Sequence, residues 1–204
     1  MLFRSGPSLA HCIDIVEPKF IVVAPELAQL LASAQPHLKS KAQVWSYGEN
    51  TDFPRIDSAI ESLSGRPLEA SERRPLTIND RALYVYTSGT TGMPKAANIN
   101  HYRIMLASGA FAGVMDTKPS DRMYDCLPMY HTAGGIVATG ALLLNGGSVV
   151  IREKFSVREF WDDVVRFDCT MFQYIGELCR YLAQSQPNVN ETRQIGRASC
   201  RERV

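Results

Sequence analysis

Two hydrophobic periodicities alternate along this chain, and the alternation limits its fold more than any other feature. Leu9, Cys12, Ile13 and Val16 recur at helical spacing, and a short β-branched run follows at 20–24. Leu27, Leu30, Leu31 and Ala34 return to helical spacing before a second run at 43–46. Strand–helix–strand order favours parallel strands joined by right-handed crossovers, since a helix packed back on the sheet carries the chain to a parallel neighbour. A polar stretch, 47–81, is punctuated by Gly48, Pro54, Gly65 and Pro75 and is predicted as loop with one short helix around Ile60. Strands are predicted again at 82–87, 96–99 and 169–174. One helix carries Tyr102, Met105, Leu106 and Ala110 on one face, with His101 at its start. Another opens on the capping box Ser156-Val-Arg-Glu159 and carries the stripe Val157, Phe160, Trp161, Val164 and Val165. A last helix carries Ile175, Leu178, Cys179 and Leu182 and stops near Pro187. The fold class is α/β, with mostly parallel sheets flanked by helices.

Residues 132–151 hold no charged side chain, which raises the question of a membrane span. Five glycines (134, 135, 140, 146 and 147) and the break Asn145-Gly146-Gly147 argue otherwise. The pattern predicts a helix over 133–144, a turn, and a strand over 148–152. Buried parallel strands and the helices beside them need no charge.

Composition removes several function classes. Twenty-two basic against 21 acidic residues give a formal charge of +1, which exerts no long-range pull on nucleic acid. Five cysteines, none in a C-x-x-C pair, exclude a disulfide scaffold and a zinc ribbon, and no metal ligand set is predicted. Cys126, Cys169 and Cys179 sit in apolar contexts and are expected to be buried bystanders. His11 and His37 have no partner motif, and Glu177 reads as a surface or ion-paired residue. Both ends look foreign: residues 1–5 and 194–204 resemble translated sequencing adapter and are set aside from fold reasoning.

Chemistry concentrates in Tyr86-Thr-Ser-Gly-Thr-Thr-Gly-Met-Pro-Lys95, which leaves a predicted strand and enters the next. Its glycines let the backbone turn N–H groups inward. Thr87, Ser88, Thr90 and Thr91 add hydroxyl donors, and Lys95 adds a point charge. Inward amides, hydroxyls and one ammonium suit a polyphosphate. The spacing is neither G-x-x-x-x-G-K-[ST], because Met93-Pro94 separates Gly92 from Lys95, nor G-x-G-x-x-G.

In this decapeptide the chain resembles the adenylate-forming superfamily of acyl- and aryl-CoA synthetases, luciferases and peptide-synthetase adenylation domains. A second match, Leu127-Pro-Met-Tyr-His-Thr-Ala-Gly134, follows 32 residues after Lys95. Longer text is similar to the fatty acid transport proteins, also called very-long-chain acyl-CoA synthetases. It comprises Tyr124-Asp-Cys-Leu-Pro-Met-Tyr-His131, Lys154-Phe-Ser156, Phe160-Trp-Asp-Asp163 and Gln173-Tyr-Ile-Gly-Glu-Leu-Cys-Arg-Tyr-Leu182. The resemblance implies that residues 6–193 are part of the large N-terminal AMP-binding domain, with the C-terminal domain lying beyond the chain.

The resemblance further implies an ATP-dependent fatty acyl-CoA ligase, with magnesium and coenzyme A. Fatty acid and ATP give acyl-AMP and pyrophosphate; coenzyme A then takes the acyl group and AMP leaves. Thr87, Ser88, Gly89, Thr90, Thr91, Gly92 and Lys95 are the expected triphosphate contacts, with Thr91 and Lys95 bearing on catalysis. Tyr130, His131 and Gly134 are expected at the acyl pocket, with His131 positioning the carboxylate or gating the pocket. A general base is unnecessary there, because a fatty carboxylate is already ionised at neutral pH. A hydrogen-bonded structural histidine after the proline turn is the other reading of His131. The implied setting is cytoplasmic and compatible with peripheral membrane association of the parent protein, without a transmembrane span in this chain. A fragment lacking the later parts of the domain is expected to be inactive alone. Another adenylate former, or a fatty-acid transport or binding protein without catalysis, are the alternative functions.

Overall fold

The structure, a computed structural model, describes residues 5–49, 51–87 and 92–191, together with the backbone of 197–200. The chain divides into two compact units, residues 1–77 with 82–98, and residues 78–81 with 99–204.

The first unit contains the predicted strand–helix–strand. Strand β1 (Phe20–Val23) pairs in parallel with β2 (Gln43–Ser46), Phe20 opposite Gln43 and Val23 opposite Ser46. Helix α1 (Gly6–Asp14) precedes β1, and α2 (Ala28–Ala34) forms the crossover, burying Ala10, Cys12, Leu31 and Ala34. The polar stretch is mostly loop, with α3 (Ile56–Glu61) as its one α-helix among the described residues. Strands β3 (Arg81–Thr87) and β4 (Lys95–Asn100) form a two-stranded sheet on either side of the Gly/Thr-rich loop.

The second unit is built on a four-stranded parallel sheet in the order β6-β5-β7-β8. Its strands are β5 (Arg122–Asp125), β6 (Ser148–Ile151), β7 (Met171–Tyr174) and β8 (Arg197–Cys200). Sequence periodicity did not predict β5, although Met123, Tyr124 and Asp125 are all buried. Four residues that begin with Arg122 and end with Asp125 carry too little apolar signal to read as a strand. Strand β8 falls within the stretch set aside as adapter-like, and its backbone pairs with β7 from Met171 opposite Arg197 to Tyr174 opposite Cys200. The remaining adapter-like residues, 1–4, 194–196 and 201–204, lie outside the described ones.

Alternation along these strands sends side chains to two cores, because successive strand residues face opposite sides of a sheet. Met123, Val149 and Met171 pack with Ala112, Ala138, Ala141 and Leu142, from α4 (His101–Met115), a π-helix (Thr132–Ala138) and α5 (Thr139–Leu143). Tyr124, Val150 and Phe172 pack with Phe160, Val164 and Leu182, from α6 (Val157–Arg166) and α7 (Gly176–Ala183). Helices therefore cover both faces, as the α/β reading expects. Phe160 is completely buried and meets Tyr124, Trp161 and Phe172 edge-on, with ring centroids 5.2, 5.0 and 5.2 Å away. Such edge-to-face contacts align ring edges with the negative faces of their neighbours.

Two expectations change. The capping box at Ser156 does not form: Ser156 makes no side-chain cap hydrogen bond, and Glu159 instead pairs with Arg152 at 2.8 Å. A guanidinium is the stronger partner for that carboxylate. On α4, Tyr102, Met105 and Leu106 are exposed, whereas Ser108 and Ala112 are buried. This helix is apolar around most of its circumference, and within its unit the smaller side chains make the closer fit.

The uncharged stretch resolves as helix, turn and strand. Thr132–Ala138 and Thr139–Leu143 are helical, Gly146 turns with φ +77°, and Ser148–Ile151 is β6. Positive φ is a conformation that glycine alone adopts without cost. Among the described residues no helix is long and apolar enough to cross a membrane.

Candidate active site

The stems of the decapeptide lie where the sequence implied. Thr87 ends β3 and Lys95 opens β4, so the two strands hold the loop by its stems. Thr87, Gly92 and Lys95 are exposed, which leaves the hydroxyl, the glycine and the ammonium accessible to a ligand. Ser88, Gly89, Thr90 and Thr91 lie outside the described residues. Pro94 is buried just before Lys95, and its carbonyl oxygen accepts a hydrogen bond from His11 Nε2 at 3.0 Å. The Tyr86 hydroxyl donates to the Cys12 carbonyl at 2.6 Å. Sequence reading gave His11 no partner, because 83 residues separate it from Pro94.

The second motif occupies the carboxyl end of the second unit's sheet. From β5 the chain moves outward to β6, then returns to β7 on the other side of β5. Where the connections diverge, the carboxyl ends of a parallel sheet leave a crevice, the usual ligand position in such folds. Residues 127–131 leave β5 at this point. The His131 N–H donates to Pro128 O at 2.9 Å, closing the turn. His131 is also the N-cap of the π-helix, with Nδ1 accepting from Ala133 N–H at 3.2 Å. An accepting Nδ1 puts the ring proton on Nε2, so the exposed imidazole offers a donor while its other nitrogen holds the helix start. The structural and ligand-facing readings of His131 are thus compatible.

Gly134 and Gly135 let this helix press on the loop. A Cβ on Gly135 would lie 2.0 Å from Met129 O, and one on Gly134 would lie 2.8 Å from both Leu127 O and Pro128 O. The wide turn is closed by Thr139, whose N–H and Oγ1 both reach Gly134 O, the latter at 2.9 Å. π-Helical turns are rare and concentrate at functional sites. Tyr130 is 76% exposed beside His131. Gly134 is buried, and its place here is one of backbone approach.

Asp125 and Gln173 are the residues that sequence reading missed. Register pairs Tyr124 with Phe172, so the next positions on the adjacent strands are Asp125 and Gln173, both fully buried. Asp125 Oδ1 accepts from Leu127 N–H at 3.1 Å, while Oδ2 and both amide atoms of Gln173 have no hydrogen-bond partner among the described residues. Burial pushes the Asp125 carboxyl up to about 6, against a lesser opposing effect of the Leu127 N–H. Cys126, beside it, is pushed up to about 12 by burial and by the Asp125 charge, so it is no thiolate nucleophile. Cys169 is also buried, and Glu177 pairs with Arg180 on the surface.

These features coincide with a known family. The family model of AMP-binding enzymes matches residues 5–201, and the chain belongs to that family. Within it, the chain is similar to long-chain fatty acid transport protein 1. It is 37% identical to the Homo sapiens protein over 193 residues, covering 91% of this chain and 29% of the relative. To the Bos taurus protein it is 43% identical over 183 residues, covering 85% and 28%. The chain therefore spans less than a third of the curated relatives it matches. Among solved structures, ATP-bound MatB from Rhodopseudomonas palustris is 25% identical with a TM-score of 0.70, covering 87% of this chain and 33% of that one. A red-emitting luciferase from Phrixothrix hirtus shares the fold at 17% identity with a TM-score of 0.78, covering 96% and 39%. The fold is that of the adenylate-forming enzymes.

Proposed function

We propose that this chain is a segment of an ATP-dependent fatty acyl-CoA ligase that supplies the triphosphate loop and part of the acyl wall. The observation that carries the reading is the decapeptide, with its stems on β3 and β4 and Lys95 exposed at the head of β4. The fatty-acid assignment rests on similarity to the long-chain fatty acid transport proteins. Since the chain spans less than a third of those relatives, the complete reaction is proposed for the full-length protein.

In the first half-reaction a carboxylate oxygen bonds to the α-phosphorus of ATP and pyrophosphate leaves. Two anions must approach and negative charge grows on the leaving group, so preorganised donors are the main requirement. Lys95, Thr91, Ser88, Thr87, Thr90 and the amides of Gly89 and Gly92 are assigned to the triphosphate. His131, through Nε2–H, orients the carboxylate, with Tyr130 and Gly134 at the same wall. In the second half-reaction the coenzyme A thiolate attacks the acyl carbon and AMP leaves. Magnesium is general to this chemistry, but the described residues contain no group of three or more His, Cys, Asp or Glu side chains fit to hold it. The proposed setting is the cytoplasm, where both ATP and coenzyme A are at hand, with peripheral membrane association of the full-length protein.

The test is pyrophosphate release by the full-length protein before coenzyme A is added, over fatty acids of several lengths. Lys95→Ala and Thr91→Ala should slow release by about 10²–10³ without changing acid preference. His131→Ala should change the affinity or preference for the acid. Normal release with blocked thioester formation in Lys95→Ala would remove the loop from the triphosphate.

A further inference from the structure

The triphosphate loop is held at both stems by one turn of a helix that no motif identifies. Tyr86 is the last residue before Thr87, and Pro94 the last before Lys95; both are tied to consecutive residues of α1 (Gly6–Asp14). The bonds differ in direction. Cys12 O is one of the last four carbonyls of α1, for which the helix supplies no N–H, and the Tyr86 hydroxyl fills that vacancy at 2.6 Å. His11 Nε2 donates to Pro94 O at 3.0 Å. Proline has no N–H, so the carbonyl is the one backbone hydrogen-bonding group of this buried residue. The Pro94 carbonyl shares its peptide plane with the nitrogen of Lys95. Fixing that plane fixes the Lys95 nitrogen and Cα, and with the extended backbone of Lys95 in β4 it sets the direction in which the side chain leaves the strand. All of these residues belong to one compact unit.

We propose that His11 is a positioning residue for the phosphate loop: together with the Cys12 carbonyl and Tyr86, it clamps both stems to α1 and aims Lys95. The proposal rests on the assignment of the loop to triphosphate. It makes α1 a support of the ATP site through the two stems of the loop.

The experiment compares His11→Ala, His11→Gln, Tyr86→Phe and Lys95→Ala in the full-length protein. It measures kcat and KM for ATP and for fatty acid in pyrophosphate release, and amide hydrogen exchange at Lys95 and Ala96. Misplacing a reacting group by about 1 Å can cost roughly 100-fold. His11→Ala should therefore lower kcat/KM for ATP by about 10- to 100-fold, with KM for fatty acid unchanged and exchange at Lys95 faster. His11→Gln, whose amide N–H can reach Pro94 O, should recover most of the loss, and Tyr86→Phe should move the same quantities less far. Unchanged kcat/KM for ATP and unchanged exchange in His11→Ala would overturn the clamp. So would equal losses for ATP and fatty acid that glutamine does not rescue, since those mark a general loss of fold. If Lys95→Ala leaves the ATP dependence untouched, the triphosphate assignment fails; the exchange at Lys95 still decides whether His11 orders the stem.

Discussion

Asp125→Asn should remove part of the pH dependence of stability in the second unit. The wild-type carboxyl is fully buried at the end of β5 and is raised from 3.8 to about 6 by desolvation. A folded-state value above the unfolded one means that the native state binds the proton more tightly. The contribution of Asp125 to stability is therefore highest below about pH 4, falls as the pH rises through the interval between the two values, and is level above about pH 7. At about 1.36 kcal/mol per unit, the full cost of ionising Asp125 is roughly 3 kcal/mol, of which about 2 is incurred between pH 4.5 and 7.5. Asparagine cannot ionise, so this component disappears. Its amide brings its own constant cost, since a buried N–H without an acceptor loses about 1–3 kcal/mol. The diagnostic quantity is thus the change with pH. The assay is urea unfolding at pH 4.5 and 7.5, followed by Trp161 fluorescence in a Trp45→Phe background, which leaves one of the two tryptophans. The asparagine variant should gain about 2 kcal/mol relative to wild type between the two pH values. Parallel profiles would refute the argument and mean that Asp125 is ionised at little cost.

Phe160→Ala should destabilise the second unit by about 3–5 kcal/mol in the same urea assay, because it empties the centre of an aromatic cluster. Gly135→Ala should perturb the 127–131 turn, since its Cβ would meet Met129 O at 2.0 Å, and hydrogen exchange at the His131 amide should report it. Gly109→Ala, at an open position of α4, should instead stabilise by about 0.5–1 kcal/mol in thermal unfolding. His131→Ala should lose about 0.5–2 kcal/mol through the missing cap, whereas His131→Asn should keep the cap while losing Nε2–H. Weakened acid affinity in both variants would separate the ligand-facing role from the cap.

What could be read from the sequence divides by the range of the interaction. Strands β1, β2, β3, β4, β6 and β7 and the helices between them are encoded in local periodicity and were found within a few residues. The stems of the Gly/Thr-rich loop were equally local, because Thr87 and Lys95 adjoin β-forming runs. Strand β5 was hidden because its burial comes from both neighbouring strands and both helical layers, not from its own four residues. The His11–Pro94 bond was hidden for the same reason. Ser156 and Glu159 show the reverse failure: the local pattern of a capping box was present, but Arg152 offered Glu159 a charged partner.

The segments similar to fatty acid transport proteins have a physical meaning that differs from that of the decapeptide. Phe155, Phe160, Trp161, Asp163 and Phe172 lie in or beside those segments, and they converge with Tyr124 on one core. Within it, the Tyr124 hydroxyl donates to Asp163 at 3.0 Å, and Arg152 completes the pair from β6's end at 3.0 Å. A buried carboxylate needs such partners, because an unpaired charge there would be costly. This text therefore describes how α6 seats on the sheet, and it bears on chemistry only through what that seating holds in place. Gln173 is the exception. It belongs to the same text, yet its two amide atoms are buried without partners among the described residues, beside Asp125 at the carboxyl end of the sheet. A core selected for packing alone would place an apolar side chain there, since each unsatisfied polar atom opposes folding. The polar pair lies where the 127–131 turn leaves β5, and Asp125 already holds the Leu127 N–H of that turn. The site and the subfamily text meet at these two residues, which makes Gln173→Leu more informative than any substitution in the aromatic cluster. If the pair serves packing alone, leucine should stabilise the unit and leave acid affinity unchanged in the pyrophosphate-release assay. If the pair holds the turn that carries His131, leucine should stabilise the unit and weaken acid affinity together.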